Sequence, residues 1–183
     1  MSLNPTFTIF CGPMMSSKTT RLLATIDRYK YKNLNVLAFK PKIDRRYTVE
    51  EISTHNGGKI KAIVVSSGDE ITQNVLLAQP DVVAVDEAFM IDGAADALIN
   101  LFRSGYSIVV STIEMSSSCN AFPEVEKMLP WATKIEKCTA VCFCGEDALY
   151  TQRKIENLGE IVVGGSEMYE PRCWNHHTVI KNK

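Results

Sequence analysis

Phe7-Thr8-Ile9-Phe10-Cys11-Gly12-Pro13-Met14-Met15-Ser16-Ser17-Lys18-Thr19-Thr20 is the stretch that decides the fold. An apolar run ends at a glycine, and Lys-Thr-Thr follows at the start of an amphipathic segment. Strand, tight loop and helix in that order make a phosphate-binding P-loop, in which backbone N–H groups and a helix N-terminus form a concave anion site. Gly12, Pro13, Met14, Met15, Ser16, Ser17, Lys18, Thr19 and Thr20 are the expected nucleotide-binding residues. Lys18 is placed to reach β- and γ-phosphates, and the Thr19 hydroxyl to ligate Mg²⁺. Ser17 stands where the pattern G-x-x-x-x-G-K-[ST] has glycine. Serine fits there if its φ stays negative, or at a strain of about 1 kcal/mol if it does not. The competing reading of the stretch is an ordinary strand-to-helix turn.

Working outward, apolar runs alternate with helical patterns. Phe7–Cys11, Val36–Phe39, Ala62–Val65, Val82–Val85 and Ser107–Ser111 read as strands, and Thr19–Tyr31, Asp69–Leu77 and Asp92–Ser104 as helices. Lys42–Gly58 is polar and reads as a loop with a turn at Asn56-Gly57-Gly58. The alternation predicts a P-loop NTPase-like α/β fold with a parallel sheet flanked by helices. A nucleotide-binding domain is expected over 1–137. A small cysteine- and histidine-bearing subdomain is expected over 138–183.

Val82-Val83-Ala84-Val85-Asp86-Glu87 supplies the second half of a phosphate site. A carboxylate at the end of a buried strand, expected beside the P-loop strand, suits Asp86 to Mg²⁺. Glu87 is the expected general base toward an attacking hydroxyl. The same pair also suits a helix cap and its first-turn acid. Further on, Cys142-x-Cys144 and Cys173-x-x-His176 each pair two soft ligands, and together they predict a structural Cys₃His zinc site. Cys138 and His177 remain spare ligands, Cys11 and Cys119 read as core or loop thiols, and simple burial of all these thiols is the alternative.

Composition narrows the classes. A net charge of −1 without a basic block speaks against a zinc-ribbon nucleic-acid binder. No apolar run approaches the roughly 20 residues needed to span a membrane. The N-terminus lacks an export signal, so a reducing, cytoplasmic setting is expected, in which six cysteines mean metal ligands or free thiols.

Taken in order, the motifs resemble the type II, zinc-containing thymidine kinase family over nearly the whole chain. Gly12-Pro13-Met14-Met15-Ser16-Ser17-Lys18-Thr19 is similar to G-P-M-F-S-G-K-[ST]. Lys40-Pro41-Lys42-Ile43-Asp44-Arg45-Arg46-Tyr47 is similar to K-P-x-x-D-x-R-Y, and Thr54-His55-Asn56-Gly57 to S-H-[ND]-G. Asp86-Glu87-Ala88 is similar to the start of D-E-[AG]-Q-F. Cys142–Gly145, Tyr150–Arg153, Gly164–Tyr169 and Cys173–His176 resemble the family's C-terminal zinc and lasso-loop signature.

The resemblance implies transfer of the ATP γ-phosphate to the 5′-hydroxyl of thymidine, with Mg²⁺, a structural Zn²⁺ and a homotetramer. It implies no nucleic-acid or membrane partner. Lys18, Glu87 and Arg46 take the catalytic roles. Met14, Phe89, Met90, Phe122 and Tyr169 line the nucleoside pocket, and lasso backbone at Val162, Val163 and Gly164 meets the base edge. The chain departs from the pattern at Ser17, at Phe89 and Met90 in place of Gln and Phe, and at Ser117 in place of a base-stacking aromatic. Met90 and Met115 are able to fill part of that space. Those changes keep open a kinase for another pyrimidine deoxynucleoside, or a nucleotide-binding paralogue with impaired turnover.

Overall fold

A computed structural model describes residues 4–44, 50–54, 57–155, 161 and 163–181. The chain opens with β1 (Phe7–Cys11), α1 (Lys18–Tyr31) and β2 (Val36–Pro41), then the short strands β3 (Glu51–Ser53), β4 (Lys59–Lys61) and β5 (Ile63–Val65). α2 (Gly68–Ala78), β6 (Val82–Asp86), α3 (Ala94–Arg103), β7 (Ser107–Thr112), α4 (Pro123–Met128) and β8 (Lys134–Lys137) follow. The C-terminal part holds β9 (Ala140–Val141), β10 (Asp147–Ala148), β11 (Tyr150–Arg153), β12 (Tyr169–Arg172) and α5 (Thr178–Lys181).

Six strands form one sheet in the order β5-β2-β6-β7-β1-β8, and every pairing in it is parallel. Strands covered on both faces need apolar residues at consecutive positions, which is why these runs lack polar alternation. The two-residue period divides them between two cores. Phe7, Ile9, Val83, Val85, Ile108 and Val110 face one side, where Ile71 and Val75 of α2, Leu98 and Leu101 of α3, and Val125 and Met128 of α4 pack. Phe10, Ala38, Val82, Ala84 and Val109 face the other side, against Leu22, Leu23 and Ile26 of α1. Each of the larger side chains contributes roughly 1.5–3 kcal/mol when fully buried.

The structure departs from the sequence-based expectation in several places. The polar stretch 42–58 is not all loop. β3 pairs antiparallel with β4, and beyond the paired residues Thr54 N–H donates to Gly58 O at 2.9 Å. These strands are three residues each and bury one large apolar side chain, Ile52, too little to register as a hydrophobic period. The helix expected from Asp92 starts at Ala94, because Gly93 sits at φ +70° and cannot be the first helical residue. β8 and α4 were not anticipated. β8 reads Lys-Ile-Glu-Lys, a polar edge strand whose charges protect an open sheet edge. α4 has Pro123 in its first turn, and its Glu124 accepts from the Gly93 and Ala95 amides at the start of α3.

Candidate active site and metal centre

Parity along the strands builds the acidic side of the site. Asp86 shares its face of β6 with Val82 and Ala84, the face covered by α1, and its register partner on β7 is Ser111. The Ser111 hydroxyl donates to Asp86 Oδ1, and the Thr19 hydroxyl from the first turn of α1 donates to the same oxygen at 3.2 Å. β6 does not lie beside the P-loop strand, as expected from sequence. β7 separates it from β1, and Thr19 spans the gap. Glu87 follows at φ +50°, a left-handed turn that ends the strand and leads into a short 3₁₀ turn over Ala88–Met90. Both carboxylates are buried.

The loop between β1 and α1 curls around its own lysine. Lys18 is 6% exposed, and its Nζ donates to Pro13 O at 2.5 Å and to Ser16 Oγ at 3.3 Å. Burial holds its pKa below the ordinary lysine value, while Glu87, Glu114 and Asp86 pull in the opposite direction. Ser17 adopts φ +58° and ψ +23°, so the strained of the two expected solutions is the one taken. Its side chain makes no capping hydrogen bond to α1.

Two cavities meet here. A cleft of about 1790 Å³, open to solvent, runs along the loop from Met14 to Thr20 and past Asp86, Glu87, Lys40 and Asp44. A smaller pocket of about 420 Å³ is lined by Met14, Glu87, Phe89, Met90, Phe122 and Tyr169. Met14 and Glu87 line both. Within the small pocket the Phe89 and Phe122 rings lie 4.5 Å apart, and the Phe89 amide is fixed by Thr112 Oγ1 at 3.3 Å. The aromatic surface is therefore built by Phe89 with Phe122, on a pocket whose Ser117 is buried. Gly164 joins the lining, whereas Val163 lines neither cavity. Arg46 and Val162 lie outside the described residues.

Several site residues were not singled out from sequence. Ser111 carries no sequence signal, because a serine at the end of a strand is common and its pairing with Asp86 is a matter of strand register. Thr151, Arg153, Ser116 and Ile113 also line the small pocket, and Lys40 and Asp44 the cleft. Thr151, Arg153, Lys40 and Asp44 fall inside motifs already quoted, so their signal was present without an assigned role.

Cys142, Cys144, Cys173 and His176 come together with their ligand atoms all within 4.8 Å of one another. Cys144 Sγ lies 3.8 Å from Cys173 Sγ, and His176 Nδ1 lies 3.2 Å from Cys173 Sγ and 3.9 Å from Cys142 Sγ. Zn–S bonds near 2.3 Å in a tetrahedron put sulfurs about 3.8 Å apart and sulfur from nitrogen about 3.6 Å, so the donor set and spacing fit zinc. Burial pushes the Cys142 thiol up, but hydrogen bonds from the Cys144 and Cys173 backbones outweigh it and bring it down to about 6, toward the thiolate a metal needs. The spare ligands are accounted for elsewhere. Cys138 is buried, with its thiol 3.6 Å from Glu136 O. His177 is fully buried, its Nε2 3.1 Å from Thr151 O. Burial lowers its pKa.

A glycine-led loop around a buried lysine, with two consecutive acids at the end of one strand of a parallel sheet, defines a P-loop nucleotide-binding protein. This one also carries a Cys₃His centre. The family model described as thymidine kinase matches residues 6–177, and the chain belongs to the thymidine kinase family. Among solved structures, the Legionella pneumophila ATPase DotB is similar at 13% identity and a TM-score of 0.49, over 79% of this chain and 44% of its own. This chain thus spans less than half the length of that protein.

Proposed function

We propose that the protein is an ATP-dependent deoxynucleoside kinase that transfers the γ-phosphate of ATP to the 5′-hydroxyl of thymidine, forming dTMP. One observation carries the reading: Glu87 lines both cavities, so a single buried carboxylate stands where the cleft along the phosphate loop meets the smaller pocket walled by Phe89 and Phe122. The cleft suits ATP, with the loop amides on its phosphates and Lys18 turning from Pro13 O to the β- and γ-phosphoryl oxygens. Thr19 and Asp86, already in contact, are the residues that would hold Mg²⁺, which would neutralise phosphate charge. The small pocket takes the pyrimidine between Met14, Phe89 and Phe122. Glu87 accepts the 5′-hydroxyl proton as O5′ bonds to the γ-phosphorus and the bond to the β-phosphate oxygen breaks, leaving ADP. Homotetrameric assembly belongs to the same proposal, and light scattering checks it.

The test is direct. Purified protein with Mg-ATP and thymidine yields ADP and dTMP in equal amounts, and Glu87→Gln lowers kcat by about 10²–10³-fold with ATP binding retained. Robust turnover by that variant removes Glu87 from the base role. Ser116 and Ser117, two hydroxyl residues on the pocket wall, favour a second reading, a 5-substituted pyrimidine deoxynucleoside as the better substrate. A panel of deoxynucleosides decides between them, and a wide margin for thymidine disposes of the second.

A further inference from the structure

Thr151, Cys119 and the metal centre all converge on His177. Its neighbour His176 is one of the four metal ligands. Its Nε2 is 3.1 Å from the Thr151 carbonyl, and because a carbonyl only accepts, Nε2 carries the hydrogen. Nδ1 is then the acceptor, and it faces Cys119 Sγ at 3.8 Å. Both contacts lead to the active site. The Thr151 hydroxyl accepts from the Met14 amide at 3.1 Å, and Met14 lines both cavities. Cys119 closes a tight turn, its amide donating to Ser116 O at 3.0 Å, while Ser116 Oγ accepts from the Ser118 and Asn120 amides. That turn carries Ser116 and Ser117 to the wall of the small pocket.

We propose that His177 is a positioning residue that couples the metal centre to the active site, setting the P-loop entrance through Thr151 and the pocket wall through Cys119. Zinc fixes the Cys173–His176 turn, and that turn holds the His177 ring against β11. The ring's two nitrogens then fix Thr151 and the 116–119 turn in register with Met14. The metal is therefore more than a staple for the C-terminal residues: its occupancy sets the fit of the nucleoside pocket. The geometric coupling stands by itself, and its kinetic consequence rests on the kinase reading.

Hydrogen exchange on the full, zinc-loaded chain tests the coupling without any activity assay. Thr151→Val removes the acceptor for the Met14 amide, and that amide is expected to exchange about tenfold faster or more. His177→Phe keeps the ring volume and loses both hydrogen bonds, and it is expected to give a similar acceleration with zinc still at one per chain. The double variant adds little further. His177→Gln, which can donate and accept along the same directions, restores protection. Chelation of zinc from the native chain raises Met14 exchange while Leu22 and Ile26 of α1 stay protected, and this arm stands if His177→Phe does not fold. Met14 exchange within twofold of native in His177→Phe or after chelation overturns the proposal, as do independent, multiplying effects of the two substitutions or loss of zinc from His177→Phe. In kinetics, His177→Phe raises the nucleoside KM about tenfold with kcat changed much less. A native protein that transfers no phosphate defeats the kinase reading and leaves the exchange result intact.

Discussion

Ser17 and Lys18 are adjacent, and the loop treats them in opposite ways. Ser17 is held at φ +58°, where a Cβ is crowded against its own backbone, at a cost of roughly 1–2 kcal/mol for an ordinary residue. Ser17→Gly relieves that crowding and gives back some unfolded-state entropy. The expected net gain is about 0.5–1 kcal/mol, a rise in Tm of about 1–4 °C for a chain of this size. A lower Tm in that variant shows that the serine has a compensating contact. Lys18 is strained electrically rather than sterically. Burial depresses its pKa from 10.5 in the free protein, and bound phosphate anions must raise it again. Nucleotide binding therefore takes up a proton between the depressed value and the restored one. Affinity is full at pH values below the free-state pKa, where the lysine is already charged, and falls as pH rises through it. Calorimetry in two buffers of different ionisation enthalpy measures the uptake. Lys18→Met is expected to bind weakly and to lose this dependence, and a native affinity that climbs with pH contradicts the assignment.

At the scale of elements, what was legible in the sequence was what is local. β1, β6 and β7 show as apolar runs because burial on both faces demands them, and the loop after β1 shows because phosphate binding needs residues a few positions apart. The ligands Cys142, Cys144, Cys173 and His176 were legible for the same reason, since two short turns carry all four. Strand order was not legible. That β7 lies between β1 and β6, and so brings Ser111 to Asp86, depends on crossovers that no short window contains. The choice of His176 over its neighbour His177 was legible from the Cys173-x-x-His176 spacing, whereas the contacts His177 makes with Thr151 and Cys119 were not. Metal removal tests the element built on those ligands. β9 and β10 pair over only two residues each, too few to hold themselves together, so this pair is expected to depend on a metal bound by the four ligands. Chelation is expected to expose the Cys142 and Cys173 thiols to a thiol reagent and to cut helix α1 protection little. Cys173→Ser should reproduce this and abolish zinc in elemental analysis. Retention of a full equivalent of zinc by Cys173→Ser contradicts the ligand set.

For the molecule as a whole, the segment leaving β8 crosses the start of the phosphate loop in close backbone contact. β8 runs parallel to β1, and the chain leaves it at Cys138, whose amide donates to Cys11 O at 2.6 Å. The Cys138 carbonyl then lies where a side chain on Gly12 would have to go: a Cβ there meets it at 2.2 Å. Ser16 Oγ closes the other side at 2.9 Å from the same point. Glycine is thus required twice over at this position, by the start of the phosphate loop and by passage of the C-terminal segment across it. Gly12→Ala cannot be absorbed by rotating a side chain, because the clash is with backbone. The loop must move away from Lys18 and Pro13, or β8 must peel from the sheet edge. Either route costs on the order of 3 kcal/mol, a fall in Tm of about 6–12 °C. The route taken is visible in which amides lose protection: the loop alone if it yields, Ile9 and Cys11, which face β8, if the strand does. Because the metal-bearing residues follow Cys138 directly, strand release is expected to lower nucleotide affinity and loosen the hairpins together. A Gly12→Ala variant with native Tm and native nucleotide affinity removes the close contact on which this link between the chain's two halves depends.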